Sequence, residues 1–85
     1  MNGLANTVLQ NTTRFLGPAS AVFLQRQTKA HMNGLDFGDI KPEHLPVLLY
    51  WIDTSGSLII GEKSRELVEQ LSRQLNVKPA ATHRG

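Results

Sequence analysis

The stretch 56–64, which reads GSLIIGEKS, has the residue types of a phosphate-binding loop without its spacing. In the motif G-x-x-x-x-G-K-[ST], the lysine follows the second glycine directly, so that its side chain can fold back over the phosphates. Here Glu62 intervenes, which rotates Lys63 by about 100° on a helix and places a negative charge beside the supposed anion site. We therefore interpret the segment from Gly56 to Ser64 as a junction between two structural elements. A nucleotide-binding loop is the alternative.

The other residues with chemical potential do not form a recognisable site. His31, His44 and His83 share no i,i+3 or i,i+4 spacing, which a metal site on a helix would require. A hydrolytic triad of Ser55, His44 and Asp53 lacks the G-x-S-x-G turn around its serine. The chain has no cysteine, which excludes thiol catalysis. We therefore expect no catalytic residue, no metal and no cofactor.

The basic charge of the chain lies partly in its last ten residues. Among 85 residues there are nine lysines and arginines and seven acids, with a pI of about 9.4. From Asn76 onward the chain adds Lys78 and Arg84 and no acid, so residues 1–75 are neutral overall. Nucleic-acid binding usually needs a clustered basic face, so it is our second hypothesis rather than our first. That hypothesis requires convergence of Arg14, Arg26, Lys29 and Lys41.

Targeting signals are not visible in the sequence. The first ten residues, MNGLANTVLQ, contain neither the basic residues nor the apolar run of a signal peptide. The longest apolar stretches, 47–51 and 58–60, are far shorter than the roughly 20 residues that span a bilayer. We therefore expect a cytoplasmic protein without a membrane span.

Apolar periodicity predicts an all-α fold. We expect a compact four-helix domain over residues 1–75, with short connections and helices at about 3–16, 18–32, 42–60 and 62–75. A disordered, flexible tail should occupy 76–85, and no internal repeat is visible. The glycine and serines at 54–57 also allow a turn followed by a short strand at 57–60, although a strand without a partner would be unstable.

The apolar stripes of these helices predict the core and the surplus surface. The predicted core is Leu9, Phe15, Leu16, Val22, Phe23, Leu45, Leu48, Leu49, Ile52, Ile59, Leu67, Val68 and Leu71. Gly56 is expected where two helices pack closely. The apolar residues left over are candidates for an interface with another protein. They are Leu24, Tyr50, Trp51, Leu58 and Leu75.

Two parts of the chain carry a resemblance to a known module. The run 15–20 (FLGPAS) is followed by Phe23, the triplet 25–27 (QRQ) and His31. Later come 43–46 (EHLP), 49–52 (LYWI) and the final predicted helix. Together they resemble a small helical module of bacterial and archaeal signalling proteins, which occurs beside roadblock-type or response-regulator-type domains. The resemblance implies an all-helical, non-catalytic interaction domain and assigns no functional residues.

These observations lead to an ordered set of functional hypotheses. The first is a protein–protein interaction or adaptor module in cytoplasmic signalling or regulation, which self-associates and also binds a protein partner. The second is a small helical nucleic-acid-binding protein. The third is a nucleotide binder that uses the stretch from Gly56 to Ser64.

Overall fold

The computed structural model describes residues 1–81 and consists of helices and the short segments that join them. The α-helices are α1 (Gly3–Leu16), α2 (Ser20–His31), α3 (Leu45–Ile60) and α4 (Lys63–Leu75), with single 3₁₀ turns at Gly17–Ala19, Phe37–Asp39 and Pro42–His44. The body is nearly isometric, with extents of 27 × 26 × 24 Å. The predicted all-α class is confirmed, and 57–60 is helical rather than a strand.

The prediction of four separate helices is wrong in one respect. Long helical backbone forms three uninterrupted stretches, namely 3–31, 42–60 and 63–75. The first stretch includes both α1 and α2, because the Gly17–Ala19 turn between them is itself a 3₁₀ helix. We keep the labels α1 and α2 for its two α-helical parts.

The helices form two structurally equivalent halves, which corrects the expectation that the chain has no repeat. The first half is residues 3–31 and the second half is residues 45–75. Buried positions of the first half recur 44 residues later in the second. These pairs are Ala5/Leu49, Val8/Ile52, Thr12/Gly56, Ser20/Ser64, Phe23/Leu67, Leu24/Val68 and Gln27/Leu71. Few of the paired residues are identical, so the repeat lies in the burial pattern rather than in the sequence.

The same turn joins the two helices of each half. Gly17 has φ 63° and ψ −145°, and Gly61 has φ 62° and ψ −137°, a region that side chains other than glycine rarely enter. After each turn a buried serine hydroxyl bonds back to the glycine carbonyl, at 2.8 Å for Ser20 and 3.0 Å for Ser64. Gly61 therefore ends α3 and reverses the chain, as the sequence predicted.

Most of the predicted core is correct, but two residues are not. The residues fully buried as predicted are Phe23, Leu45, Leu48, Leu49, Ile52, Leu67, Val68 and Leu71, while Leu9, Phe15 and Leu16 are partly buried against them. Val22 and Ile59 were predicted as core, yet they are 58% and 62% exposed. Sequence reasoning missed five core members, which are Ala5, Val8, Leu24, Phe37 and Ile40.

Polar side chains tie the helices together inside this core. The Gln70 amide donates to Asn11 at 2.6 Å between α4 and α1. The Ser55 hydroxyl donates to Gln27 at 2.8 Å between α3 and α2. Such pairs satisfy polar groups that would otherwise cost free energy on burial. They also fix the register of each pair of helices.

The segment after α4 is partly docked, in contrast to the expected flexible tail from residue 76. Asn76 ends α4 in the left-handed conformation. Val77 then packs against the core, and the Ala80 N–H donates to the Pro46 carbonyl at 2.8 Å. The predicted tail residues 82–85, which include His83 and Arg84, lie outside the described residues.

Candidate functional site

The five predicted interface residues do not form one surface. Leu24 is completely buried, so its prediction as an interface residue is wrong. Leu75 is partly buried against the core. Tyr50 and Trp51 are half-buried neighbours on α3, and Leu58 is 87% exposed. Only Leu58 therefore presents most of its side chain to solvent.

Trp51 is partly covered by its own chain. Its ring stacks on the imidazole of His31, with centroids 3.5 Å apart and planes 2° from parallel. Tyr50 meets the same indole edge-on at 5.1 Å. The sequence had suggested Leu58 as the packing neighbour of Trp51, and the structure assigns that place to His31. The aromatic pair thus lies at the margin of the core, where α2 packs on α3.

Contacts between α2 and α3 show which residues share an end of the molecule. Trp51 contacts His31, and one helical turn later Ser55 bonds to Gln27. One further turn in this register brings Phe23 level with Ile59. In agreement, a Cβ built on Gly56 lies 3.8 Å from the Phe23 ring. The start of α2 and the end of α3 therefore lie at the same end, which we call the turn end because both glycine turns are there.

Three exposed apolar side chains gather at the turn end. Leu58 and Ile59 belong to the last turn of α3, and Val22 lies in the first turn of α2. Their exposed fractions are 87%, 62% and 58%. We call this set the turn-end patch. Burial of a side chain of this size is worth about 1.5–3 kcal/mol relative to full exposure, so a partner covering the patch would gain appreciable free energy.

Exposed charges of opposite sign flank the patch. Arg14 lies in the last turn of α1. Glu62 follows the Gly61 turn, and Glu66 lies in the first turn of α4. The first half carries basic residues and no acid, whereas four of the seven acids lie in the second half. The turn end is consequently positive on one side and negative on the other.

The convergence of four basic residues that nucleic-acid binding would require does not occur. Arg14 lies at the turn end, while Lys41 immediately precedes the Pro42–His44 turn at the start of α3, which is the opposite end. Lys29 lies close enough to Asp36 to help lower the pKa of that carboxyl. Its charge is therefore partly offset by an acid of the same chain.

A groove between α3 and α4 contains the stretch GSLIIGEKS. It has a volume of about 740 Å³ and is lined by Asp53, Ser57, Gly61, Glu62, Lys63, Ser64, Arg65, Glu66 and Glu69. Four of these residues are acidic and two are basic, which disfavours a phosphate. Moreover, the N–H groups of Ser64 and Arg65 already donate to the carbonyls of Gly61 and Glu62.

The stretch is thus a helix–helix junction, as predicted. Gly56 lies inside α3, and a Cβ placed on it would come 3.2 Å from the Cβ of Ser64. Helices α3 and α4 can therefore approach closely at this glycine. The Ser64 hydroxyl lies 3.0 Å from both the Asp53 carboxylate and the Gly61 carbonyl, which holds the start of α4 against α3. The interpretation as a phosphate-binding loop is incorrect.

The hypothetical triad residues bond to other groups. His44 Nδ1 accepts a hydrogen bond from the Lys41 N–H at 2.9 Å, and the Ser55 hydroxyl donates to Gln27. Asp53 accepts from Ser64 instead of a histidine. Within residues 1–81, no group of three or more histidine, aspartate or glutamate side chains is placed to hold a metal ion.

One exposed acid has a perturbed pKa. A hydrogen bond from the Gln25 side chain lowers the pKa of Asp36, and a second bond from the Gly38 N–H lowers it further. The Gln25 amide reaches Asp36 at 2.7 Å while its oxygen accepts from the Phe37 N–H, also at 2.7 Å. This network fixes the connection between α2 and α3. We infer a structural role for it.

Comparisons with family models, with curated proteins and with solved structures find no match to this chain. Among the helices of residues 1–81, none has both the length and the apolar content needed to cross a bilayer.

Proposed function

We propose that the protein is a non-catalytic interaction module that self-associates and serves as an adaptor in cytoplasmic signalling or regulation. The turn-end patch is the observation that supports this proposal. Single exposed apolar residues are common on protein surfaces, but a group of them at one end usually marks a surface that another protein covers. The resemblance to helical modules of signalling proteins points to the same class of function.

Sedimentation velocity over a range of protein concentrations tests self-association. We expect the weight-average sedimentation coefficient to rise with concentration in the micromolar range. High salt should weaken but not abolish the effect, because the centre of the patch is apolar and only its rim is charged. A stable monomer at all concentrations would contradict the self-association in this proposal.

Nucleic-acid binding is a second proposal, and one observation favours it. The first half exposes Arg14, Arg26 and Lys29 and contains no acid. Binding through these residues should depend steeply on salt, because each phosphate contact releases counterions. Fluorescence anisotropy with a labelled duplex, at low and at physiological salt, measures this directly. Failure to bind duplex or heparin at low salt would exclude the proposal.

A further inference from the structure

We propose that the turn-end patch is the contact surface of a symmetric homodimer, in which a second copy of this chain presents the same patch. This inference rests on the proposed self-association and adds its location and geometry. Val22, Leu58 and Ile59 would form the apolar centre of the contact. Arg14 of each copy would face Glu62 and Glu66 of the other.

The two halves differ at this end in a way that points to a covered surface. Position 14 in the first half corresponds to position 58 in the second, and position 15 to position 59. The first half has Arg14 facing solvent and Phe15 packed against the core. The second half instead places Leu58 and Ile59 in solvent. An arginine suits a surface in contact with water, and a leucine at the equivalent position suits one that is covered.

The arrangement of charge favours a second copy as the occupant. A twofold axis through the patch rotates one copy onto the other and exchanges the two sides of the end. The side with Arg14 then meets the side with Glu62 and Glu66, and each attraction occurs twice because the contact is isologous. Complementary charges at the rim of an apolar centre select both the partner and its orientation.

The size of the turn end matches what a small dimer needs. The accessible surface of the chain is 5153 Å², and the body has similar extents in all three directions. One end of such a body therefore offers about a sixth of the surface, which is close to the roughly 800 Å² that each partner contributes to a standard interface. The contact does not require the rest of the fold to change.

Substitution at Leu58 tests the location of the contact. Because this side chain is 87% exposed, Leu58→Asp should leave the fold intact, which circular dichroism and thermal melting can verify. We expect the dimer dissociation constant to rise by about tenfold or more, as for a central interface residue. Gln10→Asp, at an exposed position of α1, is the matched control and should leave the dissociation constant unchanged.

Mixing two charge variants tests the twofold geometry. Arg14→Glu alone, or Glu62→Arg with Glu66→Arg, should each weaken self-association, since like charges would then meet. An equimolar mixture should restore dimers, because the altered charges attract across the interface and the unaltered pairs remain. This rescue between separate chains cannot arise from pairing within one chain. Glu69→Arg, farther along α4, replaces the double variant as the control.

The outcomes separate the two proposals. If wild type self-associates and Leu58→Asp does so equally well, or if the charge variants do not rescue one another, this inference is overturned while the interaction function stands. If wild type remains monomeric, self-association fails and the patch has a different occupant. Weakening by Leu58→Asp together with rescue in the mixture supports the proposed dimer.

Discussion

The two halves of the molecule share a backbone plan but differ in what they leave exposed. In each half, a helix ends at a glycine with positive φ, and a buried serine after the turn bonds back to that glycine. The first half buries polar residues such as Asn11, Gln27 and Thr28, and it exposes basic side chains. The second half fills most of the corresponding positions with aliphatic residues and exposes Leu58 and Ile59. Equivalent backbones can thus carry a structural face in one half and a binding face in the other.

The largest expected effect separates two neighbours on α2. Leu24 is completely buried, so Leu24→Ala should lower the free energy of unfolding by about 2–5 kcal/mol through lost burial and a cavity. Val22→Ala should change it by less than about 0.5 kcal/mol, because the side chain lies in solvent. Chemical denaturation of both variants measures this contrast. Equal losses would show that the burial assigned to this helix is wrong.

The glycine turns should respond alike in both halves. A Cβ at Gly17 or Gly61 would meet no atom within 4 Å, so the cost of a side chain there is backbone strain rather than a clash. We expect Gly17→Ala and Gly61→Ala each to cost about 1 kcal/mol or more, and Gly61→Val at least as much.

D-alanine provides the control for these turns, since its preferred backbone angles are the mirror image of those of L-alanine. Chemically synthesised chains with D-alanine at position 17 or 61 should be at least as stable as wild type in thermal melting. Destabilisation by both enantiomers would mean that the turns need glycine for a reason other than φ.

The polar ties should contribute smaller amounts. Asn11 and Gln70 join α1 to α4 at 2.6 Å, and a double-mutant cycle with alanine should give a coupling of about 0.5–1.5 kcal/mol. The exposed pair Gln10 and Gln74 is a control cycle, in which no coupling is expected. Zero coupling between Asn11 and Gln70 would remove this pair from the determinants of register.

Lys63 should have the smallest effect. It is exposed in the groove between α3 and α4, so Lys63→Ala should change stability by less than about 0.5 kcal/mol. Wild type should also show no rise in melting temperature with ATP and magnesium, since a ligand that binds the folded state must stabilise it. A rise that disappears in the Lys63→Ala variant would restore the nucleotide-binding interpretation.

Helix positions were predictable because apolar periodicity and the Gly–Pro and glycine signals act locally. The error at Val22 has a physical cause. The buried face of α2 includes Ser20, Gln27 and Thr28, whose polar atoms are satisfied by backbone carbonyls or by Ser55. A search for apolar stripes cannot find a buried face that is half polar, so it assigned Val22 to the core and Leu24 to the surface.

The error at Ile59 has a different origin. Its spacing from Ile52 and Gly56 fits the buried stripe of α3, but Gly61 ends the helix and α4 crosses α3 near Gly56. The last turn of α3 therefore extends beyond its neighbours. The equivalence of the halves was also invisible, since burial recurs without recurrence of residue types. Both features depend on how the helices cross, which periodicity within a single helix does not describe.

The most direct test of the central claim is a dilution series followed by NMR of the backbone amides and side-chain methyl groups. Our account predicts that concentration-dependent shifts concentrate at Val22, Leu58 and Ile59 and at the flanking Arg14 and Glu62, while the Trp51 indole signal stays constant. Shifts centred on Tyr50 and Trp51, or no shifts at any concentration, would contradict it.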